Sequence, residues 1–204
     1  MQRYIYVGQI WLMEYRIVVL GDKQVGKTSL IKQFISNQFN EETEVTIEDQ
    51  EYKKQVKIPG EESCGVKVID TAFTGQSSNM VNLAQVYVIV YDITEKVTFG
   101  KLDLYIKRIK EINNINETHR IPVVLVGNKK DLVDLVSGRR QVTRSEGKKL
   151  LKKWGGDKNS FIEITARDNG QVNQVFEQAL KQLWKKLQSS VEAGPEQKND
   201  CTMQ

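Results

Sequence analysis

A chain of 204 residues with 39% hydrophobic content is long enough for one well-buried core and too short for a second of similar size. Its 30 Lys and Arg against 26 Asp and Glu leave a net charge of +4, and no run of like charge forms a nucleic-acid arm. The two cysteines, Cys64 and Cys201, stand far apart, which excludes a disulfide framework or a cysteine zinc site and points to a reducing, intracellular setting.

Residues 1–13, "MQRYIYVGQIWLM", are apolar and aromatic but shorter than a membrane span, and they carry no small-residue cleavage site. A packed extension, an interfacial segment and the product of an upstream start all remain open, since Met13 also begins a plausible domain. From Glu14 onward short apolar runs alternate with amphipathic stretches, the pattern of a parallel sheet covered by helices. "YRIVVLG", "VYVIVYD" and "IPVVLVGNK" each close on Gly, Asp or Asn, so polar groups gather at the strand C-terminal ends, where open α/β sheets bind ligands. "EYKKQVKIP", the turn "GEES" and "CGVKVID" predict an antiparallel hairpin joined to that sheet. Helices are predicted near 27–37, 98–114, 143–154 and 170–187, the third opened by a capping box of Thr143 and Glu146. The single histidine, His119, lies in the polar run "NINETHR" and reads as an exposed loop residue. Beyond Leu187 the polar "QSSVEAGPEQKNDCTMQ" reads as a disordered tail. The expected organisation is an extension over 1–13, one domain over 14–188 and a flexible tail over 189–204.

"GDKQVGKTS", from Gly21, fits GxxxxGK[ST] and stands between a predicted strand and a predicted helix, as a phosphate loop requires. Backbone N–H groups of Gln24, Val25, Gly26, Lys27, Thr28 and Ser29 are expected around the phosphate oxygens, with the Lys27 amine on the outer phosphates and the Thr28 hydroxyl on magnesium. That loop does not choose between ATP and GTP. "NKKD" at 128–131 does, because an Asp carboxylate accepts both hydrogen bonds from the N1 and N2 edge of guanine, whereas adenine leaves it unpaired at a cost of roughly 1–3 kcal/mol. "EITAR" at 163–167 falls at the right place downstream.

With those motifs in order, the chain from about Glu14 to Leu187 resembles a small GTPase of the Ras family. The resemblance implies a three-layer P-loop NTPase fold: a mostly parallel six-stranded sheet with one antiparallel edge strand and helices on both faces. It implies GTP or GDP with Mg²⁺ as ligands. Phe39 would then cover one face of the base, Asn128 and Asp131 would fix it, Lys129 and Leu132 would pack beside it, and backbone groups of Thr165, Ala166 and Arg167 would complete the pocket. Thr46, in "VTIEDQEY", would be the second hydroxyl on magnesium, and Ile47, Glu48 and Asp49 would form an effector-reading surface. Such a segment stays ordered only while the γ-phosphate is present, which makes it a switch. "VTIEDQEYKKQV" resembles the first switch of Ras itself, whereas the bulky "DK" of the phosphate loop and "LVGNKKDL" are closer to Rheb. Lys23 stands where Ras has glycine, beside the expected γ-phosphate.

The family's second switch reads DTAGQE, in which Asp orders magnesium through water and Gln orients the attacking water. Here the text is "DTAFTGQSS": Asp70 matches, but Phe73 and Thr74 occupy the Gly and Gln positions. Either "FT" is inserted and Gly75 with Gln76 keeps the functional pair, or the pair has been replaced. The stretch from Asp70 to "VYVIVYD" is shorter than the Ras pattern by about one helical turn, which favours replacement or wholesale remodelling. Slow or impaired hydrolysis is therefore expected, with Lys27, Thr46 and Gln76 as the catalytic candidates.

The final "CTMQ" fits the CaaX pattern, with Cys201 the prenylated residue and the terminal Gln pointing to farnesyl. One lipid chain holds a membrane only reversibly, and acidic Glu192, Glu196 and Asp200 outnumber Lys198 in the tail, with Lys185 and Lys186 a weak basic substitute. The expectation is a monomer that exchanges between cytosol and the cytoplasmic face of plasma or internal membranes, meeting effectors, exchange factors and GTPase-activating proteins, and no nucleic acid. A hydrolysis-deficient guanine-nucleotide adaptor is the first rival. An ATP-dependent phosphotransferase is the second, disfavoured by "NKKD" with "ITA".

Overall fold

The computed structural model describes residues 4–7, 10–41, 46–57, 63–72, 84–113 and 122–192, with side chains among those from 14 to 186. Seven strands lie in it: β1 (Tyr4–Val7), β2 (Ile10–Gly21), β3 (Gln50–Val56), β4 (Cys64–Asp70), β5 (Val86–Asp92), β6 (Val123–Asn128) and β7 (Phe161–Glu163). The helices are α1 (Lys27–Ser36), α2 (Lys96–Gly100), α3 (Leu102–Ile112), α4 (Lys130–Leu135), α5 (Arg144–Lys153) and α6 (Asn169–Glu192), with one 3₁₀ turn at Lys158–Ser160.

Six strands run in the order β3-β4-β2-β5-β6-β7, and β1 pairs with the N-terminal part of β2. All neighbours in the six-stranded sheet are parallel except β3 on β4, the predicted hairpin. Burial on both faces explains the unbroken apolar runs, since consecutive residues point to opposite sides of the sheet. Ile17 and Val19 of β2 join Leu30, Phe34, Phe176 and Leu183 in the layer under α1 and α6. Val18 and Leu20 join Ile106, Ile109 and Leu151 in the layer under α3 and α5. Fully burying each such side chain stabilises the fold by about 1.5–3 kcal/mol.

Parallel register brings the polar strand ends to one edge: Val19 lies beside Asp70, Gly21 beside Val90, and Asp92 beside Asn128. That edge is the site.

Four differences from the sequence expectation have local causes. β2 begins at Ile10 and not after Met13, because residues Ile10–Met13 pair antiparallel with β1. The helix expected over 98–114 is two helices, broken at Lys101. Gly100 weakens the helix there, and the Lys101 amine is drawn 2.5 Å from the Asp22 carboxylate, 79 residues away in sequence. α6 runs five residues past Leu187, to Glu192. The short α4 was not foreseen, and it carries no buried residue that would have set up a helical apolar period. The capping box of α5 forms as expected, Thr143 Oγ1 accepting from the Glu146 N–H at 3.2 Å while the Glu146 carboxylate accepts from the Thr143 N–H at 2.7 Å.

Candidate nucleotide-binding site

Gly21 ends β2 and Lys27 begins α1, so the phosphate loop spans one strand-to-helix turn. Two glycines are required by close approach. A Cβ on Gly21 would stand 2.3 Å from the Val90 carbonyl oxygen, and one on Gly26 would stand 2.4 Å from Asn128 Nδ2. Gly26 also has φ 94°, in the left-handed region that side chains disfavour. Gln24 enters the same region at φ 59° without being glycine, a strained conformation of the kind that collects at ligand sites. Among the described residues no side chain caps the start of α1. The N–H groups of its first turn are thus left to an anion, which the helix dipole also favours.

The Lys27 amine donates to the carbonyl oxygens of Gly21 at 3.1 Å and Asp22 at 3.0 Å, arching over the loop. Burial lowers its pKa, while the carboxylates of Asp70 and Asp22 pull the other way. An incoming phosphate would restore what burial removes. Asp22 is itself buried, and its carboxylate meets the Lys101 amine and, at 2.8 Å, the Lys23 N–H. Burial raises its pKa, but the hydrogen bond and charge of Lys101, the Lys23 N–H and the charge of Lys27 together bring it below the ordinary value.

Thr28, Thr46 and Asp70 come together from three separate segments. Thr28 Oγ1 lies 2.5 Å from Asp70 Oδ2 and 2.8 Å from Thr46 Oγ1, and Thr46 Oγ1 lies 3.3 Å from Asp70 Oδ2. Oxygen ligands on adjacent corners around Mg²⁺ are about 3 Å apart, so this small cluster has the scale and the hard-oxygen chemistry of a magnesium site. Asp70 Oδ1 is buried with no hydrogen-bond partner among the described residues, a group that a hydrated cation would satisfy. Burial raises the Asp70 pKa, against the hydrogen bonds from Thr28 and Thr46 and the charge of Lys27. Among the described residues no group of three or more His, Cys, Asp or Glu gathers to offer a softer metal an alternative.

At the other end, Asn128 is almost fully buried and serves as a staple, Nδ2 donating to the Val25 carbonyl at 2.8 Å and Oδ1 accepting from the Ala166 N–H at 3.1 Å. It thereby fixes the phosphate loop to the "ITA" turn. Lys129, with φ 65°, pairs with buried Asp92 at 2.8 Å. The Asp131 carboxylate accepts from Arg167 Nε at 3.1 Å, and the Arg167 guanidinium covers the Phe39 ring at 4.9 Å. Leu132 is half-buried beside them, its N–H bonded to the Lys129 carbonyl. The Thr165 N–H meets Gln171 Oε1 at 3.0 Å, and the Arg167 N–H meets Thr165 Oγ1 at 3.2 Å.

The first-switch surface divides. Ile47 is 79% exposed and Glu48 is exposed, as an effector surface requires. Asp49 is half-buried, its carboxylate accepting from the Ala72 N–H at 2.8 Å. It ties the first switch to the segment that follows Asp70. Thr71 anchors the same segment by donating to the Val19 carbonyl at 2.8 Å. Sequence reading missed these two contacts, together with the Asp22–Lys101 pair and the Lys129–Asp92 pair. Gln76 and Cys201 lie outside the described residues.

The arrangement has an anion cradle, a cation arched over it, a three-oxygen cluster and a separate carboxylate and amide at one edge of a parallel sheet. The Ras family model matches residues 16–185. The chain belongs to the Ras family of small GTPases.

Proposed function

We propose that this chain is a guanine-nucleotide switch: it binds GTP or GDP with Mg²⁺, hydrolyses GTP slowly, and presents Ile47 and Glu48 to effectors while GTP is bound. The observation that supports this reading is the meeting of Thr46 with Thr28 and Asp70 at 2.8 and 3.3 Å, a three-oxygen cluster suited to Mg²⁺ that includes a residue of the expected first switch. Bound Mg²⁺ would supply charge neutralisation between the phosphates. Within the chain, Lys27 holds the outer phosphates, Thr28 and Thr46 offer hydroxyls, Asp70 orients them, and Asp131 with Asn128 selects and seats guanine. When the outer phosphate leaves, Thr46 loses a partner and the segment it anchors is released.

Exchange factors, GTPase-activating proteins and reversible association with cytoplasmic membrane faces through a farnesyl group on Cys201 belong to the same proposal. They rest on the family and on "CTMQ". Kinship to Rheb rests on the bulky Asp22 and Lys23 of the phosphate loop. Phe73 and Thr74, in place of Gly and Gln, favour a second reading, an adaptor that keeps its GTP.

Single-turnover hydrolysis of preloaded GTP at saturating Mg²⁺, with bound nucleotide followed by chromatography, separates the two. Decay at about 10⁻⁴ s⁻¹ or faster supports the timed switch, and loss of that decay in Gln76→Leu would place Gln76 in the reaction. GTP that persists yet exchanges freely establishes the adaptor. Failure of guanine nucleotides to outcompete ATP overturns both.

A further inference from the structure

Away from the nucleotide edge, a groove of about 780 Å³ runs between β3 and α6. That volume lies within the range of cavities that enclose small organic ligands. Half-buried Val56 and Trp184 supply its accessible apolar surface above a floor of buried Phe34, Phe176 and Leu180, and four lysines, Lys54, Lys57, Lys181 and Lys185, line it against one acid, Glu177. Phe34 and Phe176 stack with ring centres 3.8 Å apart, and the Lys54 amine lies 4.4 Å from the centre of the Phe34 ring. Lys57 and Lys181 are exposed. Lys185 is joined to Asp157 at 2.8 Å. An occupant suited to this groove is apolar in the middle and acidic along its length.

The chain beyond α6 has that character. Between 193 and 204 it carries Glu196 and Asp200 against Lys198, and Cys201 is its one site for a long apolar substituent. Length also matches. From Glu192 back along α6 to the level of Leu180 is roughly 18 Å at the helical rise. A span of nine residues, the number from 193 to 201, can reach up to roughly 30 Å, which exceeds that distance. Tethering also gives such a segment a millimolar effective concentration at the groove.

We propose that the groove between β3 and α6 is an intramolecular prenyl-binding site, in which the lipid on Cys201 lies over half-buried Val56 and Trp184 while the acids of the segment that carries it meet exposed Lys57 and Lys181. The inference rests on prenylation of Cys201. Membrane association is then a competition between bilayer and groove, and the lipid is shielded from water during transit through the cytosol.

The test transfers a diazirine-bearing farnesyl analogue onto Cys201 of the full chain with purified farnesyltransferase, confirms uptake by intact mass, irradiates without membranes and maps the cross-links. Cross-links within one chain to peptides containing Val56, Leu180 or Trp184 are expected. Cross-links elsewhere on the chain, or only between chains, overturn the groove. A chain that accepts no analogue overturns prenylation instead. In that case a fifteen-carbon maleimide bearing the same diazirine, coupled to Cys201, tests the groove alone, Cys64 being buried. The double variant Lys57→Glu, Lys181→Glu leaves the core untouched and is expected to raise partitioning of the lipidated chain onto neutral phosphatidylcholine vesicles by about 3- to 10-fold, since the groove loses affinity and the bilayer does not. Unchanged partitioning counts against the proposed charge pairing.

Discussion

At the base end of the nucleotide cleft, Asn128 spends both of its polar atoms on the protein, at 2.8 and 3.1 Å, and Lys129 is paired with Asp92. At the proposed metal end, Thr28, Thr46 and Asp70 satisfy one another through hydroxyls, and Asp70 Oδ1 has no partner among the described residues. The first set of contacts is internal and survives whatever the nucleotide carries. The second is a cluster of hard oxygens that a cation would enter, and one of its members belongs to the first switch. On the proposed reading, a pre-formed base pocket beside an adaptable metal end would give affinity common to both nucleotides and a response that depends on the outer phosphate.

The largest expected effect comes from breaking the rigid end. Asn128→Ala leaves the Val25 carbonyl and the Ala166 N–H buried and unpaired, which costs about 2–3 kcal/mol of stability. GTP and GDP affinities should fall together by roughly 10²-fold, read by fluorescent-nucleotide titration beside thermal melts. If GTP binding weakens far more than GDP binding, the base end is not the common part of the site.

Asp70→Asn tests the adaptable end, and its sign is unusual. Burial raises the folded pKa of Asp70. A group shifted upward stabilises the fold below its unfolded value and loses that contribution as pH rises through the folded pKa. The nucleotide-free protein should therefore lose stability in a window that opens near pH 3.8 and extends above it, and Asp70→Asn should flatten that loss. At neutral pH the variant is expected to melt a few degrees higher without nucleotide, about 2–4 °C per kcal/mol recovered. It should also lose roughly 10-fold or more of the tightening that Mg²⁺ gives to GTP binding. A variant that melts lower while keeping the Mg²⁺ response would mean that Asp70 is a structural residue.

Lys101→Ala probes the link between the phosphate loop and the α2–α3 junction. The Lys101 side chain is 40% exposed, so screening limits the pair with Asp22 to about 0.5–1 kcal/mol. Asp22 is shifted downward, the opposite sense to Asp70. Its contribution is present above the unfolded value and lost as pH falls through the folded one, so the variant should show a shallower acid limb in a pH series of melts. An unaltered acid limb would assign the break at Lys101 to Gly100 alone.

How much of this was legible in the sequence follows the range of each cause. The parallel sheet, the β3–β4 hairpin, α1 and the capping box of α5 are written in local patterns, apolar runs with polar ends or two residues three apart. The phosphate loop is equally local. The break at Lys101 depends on a partner 79 residues away, and the staple at Asn128 depends on partners 103 and 38 residues away. No window of sequence contains both halves of such a contact. β7 is three residues long with only Phe161 fully buried, too short to leave a period. The Asp49 contact to the Ala72 N–H joins residues 23 apart and was equally out of reach of any local pattern.

Arg167 separates the two ends most finely and carries the smallest expected effect. Its backbone was assigned to the base pocket, but its side chain lies over the Phe39 ring at 4.9 Å, bonds Asp131 at 3.1 Å and pairs with Glu41 at 2.8 Å. The guanidinium thus holds the carboxylate proposed to select guanine and the aromatic ring expected to cover the base, and it has no contact with the Thr28–Thr46–Asp70 cluster among those described. Because the side chain is 48% exposed, its pairs are screened by salt. Arg167→Ala is expected to weaken GDP and GTP equally, by about 2- to 5-fold at low salt and less at 0.5 M salt, with the Mg²⁺ response unchanged. Titration of both nucleotides at the two salt concentrations reads all of this at once. A change confined to GTP would connect the base end to the switch through Glu41 and the segment leading to Thr46, and the division between a fixed and an adaptable end would then have to be redrawn through Arg167.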